Sequence, residues 1–214
     1  MVTDIQYGAI LSPPIAVRDG DYPDLAGASV VMITAGVNEK GGGAIDRSDP
    51  LGRLRLLKAN AAIYHDIVPK IHLAAPDALI LVVSDPPDPL ADVVRVLGHE
   101  RVLSTETFLD TLRFRFHLAR HLNKSAPDVE ALVLGEHGTS SVFLWSSARA
   151  GGRKVLDLFA EDTPNPEKLC EEVEHEVRYA NITIIEGIGA SQYGIGMASA
   201  RLTEMVLRDS LGPN

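Results

Sequence analysis

A histidine that lies between two glycines has a sequence setting that suggests a chemical role. The segment LVLGEHGTSSVFLWSS, residues 132–147, places His137 between Gly135 and Gly138, after a branched apolar run typical of a buried strand. An imidazole that projects from a tight turn at a strand end can exchange a proton with a bound ligand. Such a histidine can also be purely structural, and the segment by itself leaves both interpretations open.

A second segment offers this histidine a partner. FLDTLRFRF, residues 108–116, places Asp110 and Arg113 three apart on a predicted helix, so both side chains lie on one helical face. They could form an ordinary surface ion pair. If they are buried beside His137, the carboxylate would fix the imidazole tautomer and stabilise the imidazolium. The guanidinium could then bind a substrate carboxylate through two parallel hydrogen bonds.

Further cations lie on a glycine-rich loop. NEKGGGAIDRSDPLGR, residues 38–53, follows a predicted strand and precedes a predicted helix. Open α/β sheets bind ligands at such places, and loops of this kind often close as lids. The loop carries Lys40, Arg47 and Arg53. Residues 41–46 could equally be a surface excursion without function.

The apolar pattern predicts the scaffold that positions these segments. Strand-length apolar runs at 29–36, 78–85 and 102–105 alternate with helical patterns. This alternation is typical of an α/β fold with a parallel sheet that is covered on both faces. Between the first two runs, a helical face predicts a strand–helix–strand crossover; its members are Leu56, Leu57, Ile63, Tyr64, Ile67, Val68 and Ile71.

The second half of the chain has a different pattern. Short strands are predicted at 131–135 and 141–145, on either side of the His137 segment, and helices at 106–122 and 193–209. Between them, regular spacing predicts one long amphipathic helix, marked by Leu169, Val173, Val177, Ala180 and Ile184.

Composition narrows the class of protein. The chain has 214 residues, 45% of them hydrophobic, and a net charge of −9 without blocks of like charge, which argues against a nucleic-acid or anionic membrane partner. Cys170 is the single cysteine, so an internal disulfide is excluded and a reducing compartment is favoured. The N-terminus has no signal-peptide pattern, and we expect a cytoplasmic protein that acts on small molecules.

Five motifs in order resemble one known family. DYPDLAGASVVMITAGV, IVPKI, LDTLRFR, GEHG followed by WSS, and YGIGMASAR resemble the lactate/malate dehydrogenases, over residues 3–209. The resemblance implies the remainder of a Rossmann-like NAD-binding domain over residues 1–105 and the first part of a substrate-binding α+β catalytic domain over residues 106–214. It also implies NAD as the cofactor, a small 2-hydroxy or 2-oxo acid as the substrate, and a homo-oligomer.

The resemblance assigns roles to the four residues already singled out. It implies that His137 exchanges a proton with the substrate hydroxyl while hydride moves to or from nicotinamide, with Asp110 as its partner. It implies that Arg113 binds the substrate carboxylate. Arg53 lies where the family's loop arginine polarises the substrate carbonyl.

Other matches are residues of the cofactor and substrate environment. Ser191 falls where the family has a threonine near the substrate, and Gly36 lies where the backbone passes the dinucleotide. Asp85 stands where the family has an asparagine beside nicotinamide and substrate. An ionised aspartate only accepts hydrogen bonds and would repel an anionic 2-oxo acid. Glu106 replaces a glycine that is usual in the family.

Two parts of the family pattern have no match in this chain. The first strand, GxGxxG turn and helix, a unit of roughly 30 residues, is missing, as is the end of the catalytic domain. We therefore expect an incomplete parallel sheet. We also expect the pyrophosphate site and the residue that selects NAD over NADP to be absent, which leaves NADP open.

Alternative interpretations remain open for the substrate and for the activity. Glu39 matches the loop position that is arginine in malate enzymes, and its charge disfavours a dicarboxylate, so lactate and pyruvate are favoured. The loop is longer than usual, and Arg47 could occupy that position instead and favour a dicarboxylate. The chain could also be an inactive truncated family member that serves only as a carboxylate-binding or oligomerising module.

Overall fold

The first half of the protein is built around a three-stranded parallel sheet. The computed structural model describes residues 2–49, 51–138 and 140–210. Strands β1 (Val30–Ile33), β2 (Leu79–Val82) and β3 (Val102–Ser104) lie in the order β1-β2-β3. Within this sheet Ile80 is the register partner of both Val31 and Val102. The predicted α/β fold with a parallel sheet is confirmed, and each strand is shorter than its apolar run because the run's end enters a loop.

The helices of this half are α1 (Val2–Ala9), α2 (Glu39–Gly42), α3 (Leu57–Ala74) and α4 (Pro87–Val96). Of these, α3 and α4 lie between successive strands and pack against the sheet. Tyr64, Val68 and Ile71 of α3 are buried in one cluster with Ile80 and Val82 of β2, as the helical spacing predicts. Burying apolar side chains of this size stabilises a fold by about 1.5 to 3 kcal/mol each.

The second half combines helices with short antiparallel strands. Helix α5 (Phe108–His121) precedes β4 (Val129–Glu130), β5 (Val133–Leu134), β6 (Val142–Phe143), β7 (Arg149–Ala150) and β8 (Arg153–Lys154). Strands β5 and β6 pair as a hairpin, whereas β4, β7 and β8 form a separate small sheet. The remaining helices are α6 (Val155–Asp162), α7 (Pro166–Arg178), α8 (Ala180–Ile188) and α9 (Tyr193–Ser210).

The single long helix predicted across residues 169–184 is wrong. Helix α7 ends at Arg178 and α8 begins at Ala180, with Tyr179 between them at φ −104° and ψ 9°. The apolar spacing continues across this break, so periodicity alone does not reveal it.

Two separate clusters of buried hydrophobic residues stabilise the two halves. One lies around the parallel sheet and the other around α5. In the second cluster the ring centroid of Phe114 lies 5.1 Å from that of Phe143 and 4.8 Å from that of Trp145, both in edge-on geometry. Edge-to-face aromatic pairs contribute beyond their buried area. Among the described helices, none is long and apolar enough to cross a membrane.

Candidate active site

His137, Asp110 and Arg113 form one buried hydrogen-bonded group. Nδ1 of His137 is hydrogen-bonded to Oδ2 of Asp110, and Nη1 of Arg113 donates to Oδ1 of the same carboxylate over 3.1 Å. The three side chains are 11%, 6% and 12% exposed, respectively. The alternative of a surface ion pair between Asp110 and Arg113 therefore does not hold.

The charges of this group follow from its surroundings. Burial raises the pKa of Asp110, but the opposing effects of His137 and Arg113 are larger in sum and leave it below the usual value. Burial lowers the pKa of Arg113, which nevertheless remains a cation because guanidinium is so strong a base. An ionised Asp110 only accepts hydrogen bonds, so Nδ1 of His137 is the donor. Nε2 is then the nitrogen that can exchange a proton with a ligand.

The lowered pKa of Asp110 gives a pH-dependent prediction. Because the folded-state pKa lies below the ordinary 3.8, the ionised form stabilises the fold above that pH, and the contribution is lost as pH falls through the folded value. We expect Asp110→Asn to lower the free energy of unfolding at pH 7 by about 3 kcal/mol. The difference from wild type should shrink below pH 3.8. Urea unfolding across this range measures it, and a pH-independent difference would contradict the ionised carboxylate.

Two threonines fix the first turn of α5 against the strand that precedes His137. The hydroxyl of Thr107 donates to the carbonyl oxygen of Val133 over 2.7 Å, and the Val133 amide donates to the hydroxyl of Thr111 over 3.0 Å. Both threonines are buried. Asp110 stands between them on the same turn, so these bonds set its distance from His137.

Asp88, in the first turn of α4, connects the histidine loop to the parallel sheet. Its Oδ2 accepts from the backbone N–H of His137 over 2.9 Å, and its Oδ1 accepts from the hydroxyl of Ser104 over 2.8 Å. Ser104 is the last residue of β3. One carboxylate therefore fixes the backbone of His137 relative to the strand ends.

Asp88 is thus expected to position His137. Asp88→Ala should lower stability by about 1 to 3 kcal/mol, because it leaves two partly buried donors without acceptors, and should move the amide NMR resonance of His137. Asp88→Asn should largely restore both, since an amide can accept from His137 and donate to the Ser104 hydroxyl. An alanine variant with an unmoved His137 resonance would exclude the positioning role.

Asn60, packed against Gly36, holds together two loops at the carboxyl end of the parallel sheet. Asn60 is fully buried, accepts from the Val37 amide over 2.6 Å and donates to the Asp85 carbonyl oxygen over 2.6 Å. A Cβ at Gly36 would lie 3.1 Å from the Asn60 amide, so a glycine allows this side chain to sit there. The loops after β1 and β2 are therefore held together through one asparagine.

Removing this asparagine should be costly. We expect Asn60→Ala to lower the free energy of unfolding by about 2 to 4 kcal/mol, because partly buried backbone groups of two loops lose their partners and a buried side chain is removed. Chemical denaturation measures the loss. Lys58→Ala, an exposed position on the same helix, is the matched control and should change stability by less than about 0.5 kcal/mol. Equal effects of the two variants would rule out the tethering role of Asn60.

Arg53 and Asp85 complete the polar wall of the site. Arg53 lies in a short 3-10 helix, Gly52–Leu56, and its Nη1 is 3.4 Å from Oδ1 of Asp85. The same oxygen is 4.0 Å from Nε2 of His137. Burial raises the pKa of Asp85, but Arg53 and His137 outweigh it and the pKa is lowered. The negative charge expected at this position is therefore present but faces two basic groups.

One cavity brings the predicted site residues together. It has a volume of about 620 Å³ and opens at the carboxyl ends of the parallel strands. Predicted residues that line it are Gly36, Arg53, Asp85, Arg113, His137 and Ser191. Asp110 lies behind His137, and Glu39, at the start of α2, also lines the cavity.

Glu106, in the cavity wall, has a φ of +38°. This backbone conformation is the one that glycine adopts without strain and other residues rarely adopt. Glu106 thus replaces the glycine that the resemblance implies, at a position whose backbone conformation favours glycine.

Arg47 lies outside this cavity. Its guanidinium donates to both carboxylate oxygens of Glu186, over 2.6 and 2.8 Å, and lines a smaller neighbouring cavity of about 200 Å³. Glu39 and Arg47 were the two residues considered for the distal end of the substrate. Glu39 lines the main cavity, whereas Arg47 pairs with Glu186 outside it.

Sequence reasoning missed Asn60, Asp88, Thr107 and Thr111. Asn60 had a signal, since it lies four residues after Leu56 and four before Tyr64, within the apolar stripe of a helix. A polar residue in such a stripe needs a buried partner. The other three act through contacts with residues 16 to 49 positions away, for which the sequence gives no local signal.

Comparison with known proteins identifies the family. Residues 2–102 match the lactate/malate dehydrogenase NAD binding domain, and residues 107–212 match the lactate/malate dehydrogenase alpha/beta C-terminal domain. The chain belongs to the lactate/malate dehydrogenase family.

Relatives and solved structures agree with this assignment. The chain is similar to the L-lactate dehydrogenases of Thermus aquaticus (42% identity, 98% of this chain, 66% of that protein) and Deinococcus radiodurans (42%, 96% and 66%). It resembles the crystal structure of a minor L-lactate dehydrogenase from Enterococcus mundtii, with a TM-score of 0.81 and 31% identity over 94% of this chain and 62% of that chain. A lactate dehydrogenase from a Medee basin deep-sea metagenome library has a TM-score of 0.79 and 34% identity, over 94% of this chain and 63% of that chain. The chain thus spans about two thirds of the length of these curated relatives.

Proposed function

We propose that this chain carries the site of an NAD-linked dehydrogenase that interconverts a 2-hydroxy acid and a 2-oxo acid, with lactate and pyruvate favoured. The observation that carries the proposal is the convergence of His137, Arg113 and Arg53 on one cavity, with Asp110 bonded behind the histidine. A proton donor, a carboxylate-binding cation and a second cation for the carbonyl are what the reduction of a 2-oxo acid requires.

Each residue has a role in the proposal. Arg113 binds the substrate carboxylate through its planar guanidinium. Nε2 of His137 gives a proton to the ketone oxygen during reduction and accepts it during oxidation. Asp110 stabilises the imidazolium and keeps the proton of Nδ1 in place. Arg53 stabilises the negative charge that develops on the substrate oxygen.

The cavity fits the nicotinamide end of a dinucleotide. It opens at the carboxyl ends of parallel strands, where such cofactors bind. Gly36 lines it and, having no side chain, contributes only backbone atoms to its wall. Apolar side chains that could pack against a flat ring are Val83, Leu109 and Ile195. When bound there, NAD supplies the acceptor or donor of hydride. Ser191, in the same wall, would contact substrate.

The favoured substrate is a monocarboxylate. Glu39 lines the cavity, and a second substrate carboxylate near it would meet a like charge. Arg47, which would favour a dicarboxylate, is paired with Glu186. Both observations support lactate and pyruvate over malate and oxaloacetate.

We also propose association between copies of the chain. Ile188, Tyr193 and Met197, at the end of α8 and the start of α9, are 61%, 73% and 78% exposed. Large apolar side chains exposed together are typical of interfaces. The division into domains near residue 105 is likewise a proposal, supported by the separation of the two hydrophobic clusters.

Titration with NADH, followed by its fluorescence, tests the cofactor part of the proposal. The expected result is saturable binding, followed by tighter binding of the pyruvate analogue oxamate. If no NADH binds at millimolar concentration, the dehydrogenase proposal fails. Protection of the fold by oxamate without NADH would then favour a carboxylate-binding module.

A further inference from the structure

A buried amide without a protein partner lies beside the proposed reacting centre. Asn181, the second residue of α8, is 4% exposed, and it lines both the main cavity and the smaller cavity next to it. Its side chain makes no hydrogen bond to another of the described residues. Because buried polar side chains normally have hydrogen-bond partners, this amide has donors and an acceptor left for a ligand.

The position of Asn181 is one where an apolar side chain would serve the fold better. The other buried residues of α8 are Ile182 and Ile185. An apolar residue in place of Asn181 would extend this buried face, whereas a buried polar group without a partner lowers stability. Folded proteins retain such departures from good packing mainly at functional sites. Packing therefore gives no reason for the amide, and its place in the cavity wall does.

The two cavities meet at groups that the proposed function uses for chemistry. Arg53, His137 and Asn181 line both of them. A substrate whose C2 oxygen lies between His137 and Arg53 can therefore direct its side chain into the smaller cavity, which has a volume of about 200 Å³. That side chain would pass Asn181 at the junction.

Charged side chains of the smaller cavity are already engaged in ion pairs. Arg47 donates to both carboxylate oxygens of Glu186, and Arg55 donates to Asp49 over 3.2 Å. A charged group on a ligand would have to break such pairs, whereas a neutral group would not. Apolar residues also line this cavity, namely Ala44, Leu51, Leu54, Pro86 and Ile182. The cavity thus suits a neutral side chain that carries a polar group for the amide.

We propose that Asn181 is a specificity-determining residue that hydrogen-bonds to a neutral hydroxyl on the side chain of the 2-oxo or 2-hydroxy acid. The inference rests on the proposed function. A hydroxyl both donates and accepts, as the amide does, so the two groups are complementary in either orientation of the amide. A substrate with an alkyl side chain would leave the amide without a partner and should be bound less well.

Two pairs of 2-oxo acids, which differ only by a hydroxyl in place of a methyl group, test the inference. They are 3-hydroxypyruvate with 2-oxobutanoate, and 4-hydroxy-2-oxobutanoate with 2-oxopentanoate. The pairs differ in length, so that the hydroxyl is placed at two distances from C2. Dissociation constants by calorimetry with NAD⁺, which cannot reduce these acids, and kcat/KM from NADH oxidation are measured on the full chain.

The comparison is between wild type and Asn181→Leu, which has a similar volume and no amide. In at least one pair, the preference of wild type for the hydroxyl acid should exceed that of the variant by about fivefold, as expected for one neutral hydrogen bond. The intrinsic reactivity of each acid is the same with both chains and cancels. Ser199→Ala is the matched control, because it removes an enclosed, unpartnered hydroxyl from the wall of the main cavity. It should keep the wild-type preference.

Stability measurements separate a ligand contact from a structural role. Asn181→Leu should unfold thermally at no lower temperature than wild type, because it removes an unpartnered polar group from a buried position. If the leucine does not fit, Asn181→Ala needs no additional space and should show the same loss of preference.

The outcomes also separate this inference from the proposed function. If NADH is oxidised but the preference within both pairs is the same in wild type and the Asn181 variants, the hydroxyl subsite is wrong and the dehydrogenase proposal stands. If none of the acids binds and none is reduced, both fail. An equal loss of preference in Ser199→Ala would also overturn the assignment to Asn181.

Discussion

Replacement of His137 by alanine is expected to lower the kcat of NADH-dependent pyruvate reduction by roughly 10² to 10⁴-fold, the usual contribution of a general acid. The ketone oxygen would then lack a positioned proton donor. The structure supports this role, because Asp110 accepts a hydrogen bond from Nδ1 of His137 and His137 lines the cavity, so that Nε2 is the nitrogen available to a ligand. Steady-state kinetics at neutral pH measures the loss.

Binding measurements separate a lost proton donor from a lost fold. The histidine variant should still bind NADH, since His137 is not needed to hold the cofactor. His65→Ala, at an exposed position on α3, serves as the matched histidine control and should keep wild-type kcat. A near-wild-type rate for His137→Ala would remove this residue from the acid/base role.

The second large effect is expected at Arg113. Arg113→Lys keeps a positive charge beside Asp110 but loses the planar fork that binds a carboxylate through two hydrogen bonds. We expect the dissociation constant of oxamate to rise by about 10²-fold, equivalent to about 2.7 kcal/mol. Since lysine can still pair with Asp110, the fold should be retained.

Arg120 provides the control for this substitution. It lies on the same helix, is 53% exposed and pairs with Glu176 on the surface. Arg120→Lys should leave oxamate binding unchanged, because exposed ion pairs contribute little and neither Arg120 nor Glu176 lines the cavity. Unchanged oxamate binding in Arg113→Lys would show that the substrate carboxylate binds elsewhere.

Much of the fold was predictable because it rests on local patterns. Branched apolar runs and helical spacing predict the parallel strands and the helices that cover them, and burial of Tyr64 and Val68 confirms the stripe on α3. The break at Tyr179 was not predictable, since the apolar spacing of α7 continues into α8. Tertiary packing, and not periodicity, decides where that helix ends.

The candidate site was likewise predictable only in part. Asp110 and Arg113 were predictable as a pair because helical spacing places them on one face. The tether from Asp88 to the His137 backbone spans 49 residues, and the hydrogen bond from the Asn60 side chain to the Asp85 carbonyl oxygen joins α3 to the loop after β2. Hydrogen bonds of this kind depend on the register of elements that are distant in sequence, which residue types alone do not specify.

The most direct test of the account is turnover by the purified chain with NADH and a 2-oxo acid. NADH absorbance and the lactate formed from pyruvate are measured together. The account predicts that one NADH is consumed for each 2-hydroxy acid produced, and that His137→Ala abolishes nearly all of it. A folded chain that binds NADH yet does not reduce pyruvate would contradict the account.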